Sequence, residues 1–242
     1  METLTKEFEL PSQGLFGGPK KVTVRPMTTR EEKMLYTTKD ATYLDKIVKS
    51  CIVEPSDCSL DNLHAADITY LLFMIREMTF GPNYKQSMQC PYCNHQQLIE
   101  IDITEMANYL LDFEELEKYS TIELPICGDT IKIKLLSNKD VNEINKTIKQ
   151  LAKRDKVLDI DGYEYTYRFA KLIESINGEE VEDTKEVVSY LDNLNLRDFD
   201  EIKKALSNIR IGIDTTNIRE CKKCGEEVEV QGLITPEFFR SF

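Results

Sequence analysis

The chain contains the stretch Cys90-Pro91-Tyr92-Cys93, and a second stretch of the same form, Cys221-Lys222-Lys223-Cys224, follows much later in the chain. Two residues between cysteines let both sulfurs face one metal ion, while backbone N–H groups of the turn donate hydrogen bonds to them. Pro91 restricts the first turn, and Gly225 allows the backbone to reverse after the second. These two pairs decide the predicted fold, because together they are expected to form one site from distant parts of the chain.

A single C-x-x-C motif also occurs in thioredoxin-like redox proteins, where it opens a helix of a βαβ unit. Neither pair has that context, because each leads into an alternating strand, 98–103 or 227–231. We therefore predict one structural zinc ion, closed by four thiolates so that no position remains for water or substrate. The alternative is two pairs that do not meet. His95 is expected to be an exposed polar residue beside the first pair. The predicted ligands are Cys90, Cys93, Cys221 and Cys224.

The separation between the two cysteine pairs recurs outside the cysteines. The string Leu60-Asp61-Asn62-Leu63 returns as Leu191-Asp192-Asn193-Leu194, and Gly81 returns as Gly212, each at the same sequence separation as Cys90 and Cys221. An amphipathic helix is predicted between each string and its cysteine pair, because apolar residues there follow a helical period. The alternative is that this string is merely a common way to enter a helix. Several features kept in register favour an internal duplication.

Two predicted β-hairpins extend the duplication toward the N-terminus. Leu10-Pro11 and Leu124-Pro125 lie in similar segments, and each is followed by an alternating stretch, 21–25 or 130–134. Alternation with a period of two is typical of half-buried strands, and Gly and Pro supply the turns between them. Each hairpin then gives way to a helix, capped at Thr28 or Thr29 in the first copy and at Ser137 or Asn138 in the second.

The predicted fold class is therefore α+β: two duplicated copies of β-hairpin, helices and a zinc knuckle, joined by one split zinc ribbon. The first copy spans 1–104, an acidic connecting helix spans 105–120, and the second copy spans 121–242. The second copy is longer, and its extra residues are predicted around Asp155–Gly162. The C-terminal segment Phe238–Phe242 has two interpretations, an anchor for a partner's groove or a tail that folds back on its own ribbon.

Composition excludes several classes of protein. A formal net charge of −12 over 242 residues argues against a general nucleic-acid binder, which needs Lys and Arg to neutralise phosphates. No apolar stretch approaches the ~20 residues that a bilayer crossing needs, and the N-terminus lacks the regions of a secretory signal. We therefore expect synthesis in a reducing cytoplasm, with Cys51, Cys58 and Cys127 packed as thiols rather than paired in disulfides.

The sequence offers little for catalysis. Only two histidines are present, His64 and His95, so the usual general base is scarce. No nucleophile elbow, phosphate-binding glycine loop or H-E-x-x-H string occurs. Asp159 and Asp161 lack the closing glutamate of a calcium loop and predict a turn. We predict that the protein is not an enzyme.

Several motifs resemble one family. They are Leu10-Pro11-Ser12-x-Gly14-Leu15-Phe16, then Val22-x-Val24-Arg25-Pro26-Met27-Thr28-Thr29, then Arg76 with Phe80-Gly81-x-x-Tyr84, and finally Cys90-Pro91-x-Cys93. In this order they resemble the baseplate hub and hub-assembly proteins of T-even-type contractile phages. The resemblance covers residues 8–103 well and the second copy more thinly.

The resemblance implies a structural or assembly protein of the central baseplate that contacts other baseplate or tail proteins. Such a protein is expected in the host cytoplasm during assembly or in the virion baseplate, with an oligomeric state set by the assembly. One alternative is a zinc-ribbon module of a nucleic-acid-processing complex, against which the acidic balance argues. Another is a redox-responsive chaperone that releases zinc when its cysteine pairs are oxidised.

Overall fold

A computed structural model describes residues 4–37, 42–154 and 160–239. The mixture of helices with small antiparallel sheets confirms the α+β class. The α-helices within these residues are α1 (Thr29–Thr37), α2 (Thr42–Cys51), α3 (Ala65–Phe80), α4 (Phe113–Ser120), α5 (Asn138–Arg154), α6 (Ile160–Leu172), α7 (Thr184–Asp192) and α8 (Leu196–Asn208). The strands are β1 (Lys6–Glu9), β2 (Lys21–Val24), β3 (Ile52–Glu54), β4 (Asn83–Gln89), β5 (Gln96–Asp102), β6 (Asn108–Tyr109), β7 (Thr121–Glu123), β8 (Thr130–Ile133), β9 (Ile173–Ile176), β10 (Glu179–Glu180), β11 (Gly212–Ile213), β12 (Thr216–Glu220) and β13 (Glu227–Gln231). Short 3₁₀ turns occupy Leu60–Asn62, Ile103–Glu105 and Pro236–Phe239.

The chain divides into two compact units that do not follow its order. The first unit comprises 1–60, 66–110 and 211–242, and the second comprises 61–65 and 111–210. Both cysteine hairpins, β4–β5 and β12–β13, therefore belong to the first unit. The boundaries 1–104, 105–120 and 121–242 describe the predicted repeats rather than compact units, and they stay a prediction.

The first unit contains an antiparallel sheet in the order β1-β2-β3. The predicted hairpin β1–β2 is confirmed, with Phe8 opposite Val22. Helices α1 and α2 connect β2 to β3, whose pairing is interrupted by a bulge at Thr23 and Val24. At the start of α1, the N–H of Thr28 donates to the side chain of Glu31, which forms one arm of a capping box.

Helix α3 forms the core of the first unit. Its side chains from Ile68 to Ile75 are apolar at nearly every position, and the helix is buried on almost all sides. Near its start, Asp67 is fully buried and accepts a hydrogen bond from the N–H of Ser12 at 2.8 Å. This bond fastens the Leu10-Pro11 turn to the helix, because a buried N–H needs an acceptor.

The second unit contains a four-stranded antiparallel sheet in the order β10-β9-β8-β7. The predicted hairpin β7–β8 is confirmed, with Ile122 opposite Ile131. Helices α5 and α6 connect β8 to β9, and α5 begins where Ser137 donates to the carboxylate of Asp140. Helix α8 carries the buried Asp198, which accepts from the N–H groups that follow Leu124-Pro125.

The segment between the predicted copies differs from the expected single helix. It is helical only along α4, which begins after Asp112 because that carboxylate accepts from the N–H groups of Glu114 and Glu115. Upstream, β6 is held in a strand by pairing with β11. Of the predicted insertion at Asp155–Gly162, residues 155–159 lie outside the described part of the chain, and the rest belongs to α6.

The C-terminal segment folds back within the first unit. The side chains of Phe238 and Phe239 are only 1% and 2% exposed, which favours the second of the two interpretations for these residues. Arg240, Ser241 and Phe242 lie outside the described residues. Along the described helices, none is both long and apolar enough to cross a lipid bilayer.

Candidate metal centre

The four predicted ligands lie together in the first unit. The sulfur of Cys90 is 3.6 Å from that of Cys224, and the sulfur of Cys93 is 3.7 Å from that of Cys221. All four sulfurs lie within 4.8 Å of one another. A tetrahedral zinc with bonds of about 2.3 Å spaces its sulfurs by about 3.8 Å, so the donor set and the geometry fit such an ion.

The two turns that present the sulfurs have the same backbone. In the first, the N–H of Cys90 donates to the carbonyl of His95, and the N–H of Asn94 donates to the carbonyl of Cys90. In the second, Cys221 donates to Glu226, and Gly225 donates to Cys221. Asn94 and Gly225 both have positive φ, 56° and 76°, which Asn and Gly tolerate better than other residues. Each turn therefore directs two sulfurs to one side of its hairpin.

Two glutamines hold the hairpins side by side. The side-chain amide of Gln97 donates to the carbonyl of Glu220 at 2.9 Å and accepts from the N–H of Lys222 at 2.8 Å. Gln86 makes the same pair of bonds to Gln231 and Leu233, both at 2.9 Å. One amide can bridge in this way because it carries both a donor and an acceptor. The hairpins are thus aligned near the cysteines and again at their far ends.

The sulfurs differ in acidity. The N–H of Cys224 lowers the pKa of Cys221, burial opposes this, and the net pKa is about 6. For Cys224, the N–H of Glu226 lowers the pKa, but burial and hydrogen bonds with the other sulfurs raise it to about 12. Four thiolates this close repel one another, and a divalent cation relieves that repulsion and favours loss of the protons.

Other residues singled out in the sequence lie outside this cluster. His95 is half-buried rather than exposed, and its backbone rather than its ring supports the first turn. Cys51 and Cys58 are buried as expected, whereas Cys127 is exposed, with its sulfur 3.9 Å from the hydroxyl of Tyr190. Gln86 and Gln97 were not predicted. The sequence shows only that both glutamines lie in strands beside the first motif. Because amide side chains are common in strands, this position alone does not predict a bridging role.

Comparison with known proteins identifies the family. No curated protein and no solved structure matches the chain. The sequence model of the family described as "T4 bacteriophage base plate protein" matches residues 1–240, which is essentially the whole chain. This match confirms the resemblance to T-even-type baseplate proteins in the first hundred residues and extends it over the rest. The chain therefore belongs to the T4 bacteriophage base plate protein family.

Proposed function

We propose that this protein is a non-enzymatic structural or assembly component of the central baseplate hub of a contractile phage tail. It acts through contacts with other baseplate or tail proteins, in the host cytoplasm during assembly or in the virion baseplate, and the assembly sets its oligomeric state. The observation that carries the proposal is the family match over residues 1–240. The finer assignment to the hub depends on the motifs in residues 8–103.

In this proposal Cys90, Cys93, Cys221 and Cys224 bind one structural zinc ion. Support comes from the sulfur distances and from the two matching turns. Four thiolates complete a tetrahedron, so the ion contributes stability rather than chemistry. A single iron ion also accepts a tetrahedral sulfur site, and elemental analysis of the purified protein separates the two metals. We expect close to one zinc per chain.

The proposal includes the internal duplication, and matched pairing in the two sheets supports it. The bulge between Thr23 and Val24 opposite β3 has its counterpart between Lys132 and Ile133 opposite β9. In each sheet, one residue of the third strand has no partner in the second strand. In each sheet, two helices also connect the second strand to the third. Independent origin of the same bulge at the same place in both sheets is improbable, because bulges are specific features of a fold.

Hydrogen bonds that join distant segments give further support. Asp67 accepts from Ser12, and Asp198 accepts from Ile126. Ser12 and Ile126 each follow their Leu-Pro pair at the same position, and the two aspartates have the same sequence separation as the two cysteine pairs. In each copy, therefore, a buried carboxylate at the start of the helix before the knuckle fastens the Leu-Pro turn.

The function is tested in the phage that encodes the chain. A nonsense mutation in its gene should stop tail assembly, and wild-type protein supplied in the host should restore it. Cys90→Ser should restore it poorly, whereas Cys127→Ser, a thiol outside the cluster, is the matched control and should restore it fully. Normal tails without the protein would contradict a role in the baseplate.

Mass spectrometry of purified particles then distinguishes a resident component from an assembly factor. Detection at a fixed copy number indicates a structural part, and absence from particles that need the protein indicates an assembly role. The zinc-ribbon module of a nucleic-acid-processing complex remains the alternative, and the net charge of −12 works against it. Salt-sensitive binding to duplex DNA by purified protein would favour that alternative.

A further inference from the structure

The largest fully buried side chain in the first unit is a cation, Arg76, which is 1% exposed. Among the residues described, no acidic side chain forms an ion pair with it. Its guanidinium instead donates to three backbone carbonyls, those of Gly81, Asn83 and Phe238. Burial of this charge lowers the pKa of Arg76 from its ordinary value. A buried guanidinium is costly unless its donors are occupied, so each carbonyl matters.

Aromatic rings complete the surroundings of Arg76. The guanidinium carbon lies 6.0 Å from the ring centre of Phe80, 5.6 Å from that of Tyr84 and 5.8 Å from that of Phe238. At these distances the ring faces attract the cation, and the attraction is stronger where water is excluded. Of these groups, Phe80 and Tyr84 belong to α3 and β4, whereas Phe238 comes from the other end of the chain.

The ring of Phe238 fills a space between rigid elements. Its centre lies 4.9 Å from that of Phe73 and 5.0 Å from that of Tyr84, and both pairs meet edge to face. Phe239 packs against Phe238 and also lines an open cleft of about 470 Å³ beside Met27 and Phe80. The site therefore has the parts of a peptide-binding pocket: a central cation, aromatic walls and a groove that continues outward.

We propose that Arg76, Phe73, Phe80 and Tyr84 form a peptide-binding pocket whose ligand is the chain's own C-terminal Phe238-Phe239 segment. The segment lies a few residues after β13, which ends at Gln231 and belongs to the second cysteine hairpin. Its docking fixes the end of that hairpin opposite the cysteines, so pocket and metal hold the same element from its two ends. Gln86 lies between them and bonds to Gln231 and Leu233. Occupancy of the pocket therefore controls how tightly the metal is retained. This inference rests on the proposed zinc site.

The proposal is tested by the rate at which a chelator removes metal from the full-length protein. Replacing Phe238 and Phe239 together by Ala should speed metal release by at least about tenfold. The stability lost on truncating one buried Phe to Ala is larger than the free-energy difference that corresponds to a tenfold change in rate. Leu233→Ala is the matched control. This side chain is 53% exposed in the same segment, and its backbone bond to Gln86 does not need the side chain. We expect wild-type release from this control.

A peptide of residues 234–242 added to a chain that ends at Leu233 tests the pocket directly. Saturable binding that slows metal release is expected, and Arg76→Met in the truncated chain should abolish it. Absence of binding to a folded truncated chain would overturn the proposal. If truncation prevents folding, the double alanine variant carries the test, and a release rate equal to wild type overturns the proposal.

Coupling separates this role from ordinary core packing. The double alanine substitution and Cys90→Ser should lower the unfolding temperature by amounts that are not additive, because each loosens the same hairpin. Additive effects would contradict the proposed control of metal retention. The metal content of the wild-type protein tests the zinc proposal, tail assembly in the phage tests the baseplate proposal, and the release rate tests this pocket. Each of the three proposals can therefore fail without the other two.

Discussion

Three strands have the same order in the sheets of the two units, β1-β2-β3 and β7-β8-β9, and β10 adds a fourth strand to the second sheet. The two units nevertheless anchor the helix after the second of these strands differently. In the first unit, Glu31 is fully buried, and its carboxylate accepts from Arg25, Ser50 and Thr28. In the second unit the capping residue is Asp140, which is half-buried and accepts from Ser137. The start of the equivalent helix is thus stabilised by a buried ion pair in one unit and by a helix cap alone in the other.

Side-chain length accounts for this difference. Glu31 is one methylene longer than Asp140 and meets Arg25 with both oxygens, at 2.9 Å and 3.2 Å. The residue that follows the bulge in the second sheet is Lys134, which is exposed and has no forked guanidinium. Buried charges need complete pairing, whereas a solvated cap can exchange its partner for water. The first unit should therefore depend far more strongly on single residues.

Removal of the proposed zinc should produce the largest difference between the units. A structural zinc contributes about 10–16 kcal/mol to small zinc domains, so chelation or Cys90→Ser should destabilise the first unit by several kcal/mol. In hydrogen exchange, amides of β4, β5, β12 and β13 should lose protection while those of β7, β8 and β9 keep it. Cys127→Ser should leave both sets unchanged. A protected ribbon after complete metal loss would contradict this prediction.

Removal of the arginine in the first unit should have the next largest effect. Arg25→Met leaves Glu31 buried without its partner and should cost about 3–5 kcal/mol. Lys134→Met, the matched change in the second unit, should stay within about 0.5 kcal/mol because that side chain is exposed. Hydrogen exchange in β2 and β8 reads the two sheets separately. Equal losses in both sheets would show that the buried pair is not the source of the difference.

Loss of the buried aspartates should separate the units less strongly. Asp67→Ala should cost about 2–3 kcal/mol, because the N–H of the fully buried Ser12 then lacks its acceptor. Asp198→Ala should cost about 1 kcal/mol, since Ile126 and Cys127 are exposed and water can accept from their N–H groups. Urea unfolding of both variants checks the order, and a larger loss for Asp198→Ala would reverse our explanation.

The smallest difference should appear only in acid. Burial raises the pKa of Glu31, but hydrogen bonds from Arg25, Ser50 and Thr28 outweigh it, and the net pKa lies well below its ordinary value. Because the folded pKa is depressed, the stabilisation is complete above the unfolded value of about 4.3 and is lost as the pH falls below it. Glu31→Gln should flatten the pH dependence of β2 protection below about pH 4.3. An unchanged slope in this variant would assign the acid sensitivity to other carboxylates.

Local patterns predicted much of the fold. Strand alternation and Gly-Pro turns identified hairpins β1–β2 and β7–β8, and the capping residues placed the starts of α1 and α5 within one or two residues. These features act over a few neighbouring residues, so the sequence alone reveals them. The prediction of one helix over 105–120 relied on the same kind of local signal, because the acidic composition of this segment suits a helix. It was wrong at β6, which pairs with residues 212–213 from a distant part of the chain.

The candidate site divides in the same way. The sequence alone determined the pairing of cysteines within each C-x-x-C motif, because covalent spacing decides which sulfurs one turn can present. It also determined the common separation of the repeated motifs and the family membership. Only the tertiary structure placed both hairpins in one unit, aligned them through Gln86 and Gln97, and buried Phe238 beside Arg76. Those contacts join residues that are far apart in the sequence, and they form because burial of rings and occupation of donors outweigh the entropy of ordering the chain.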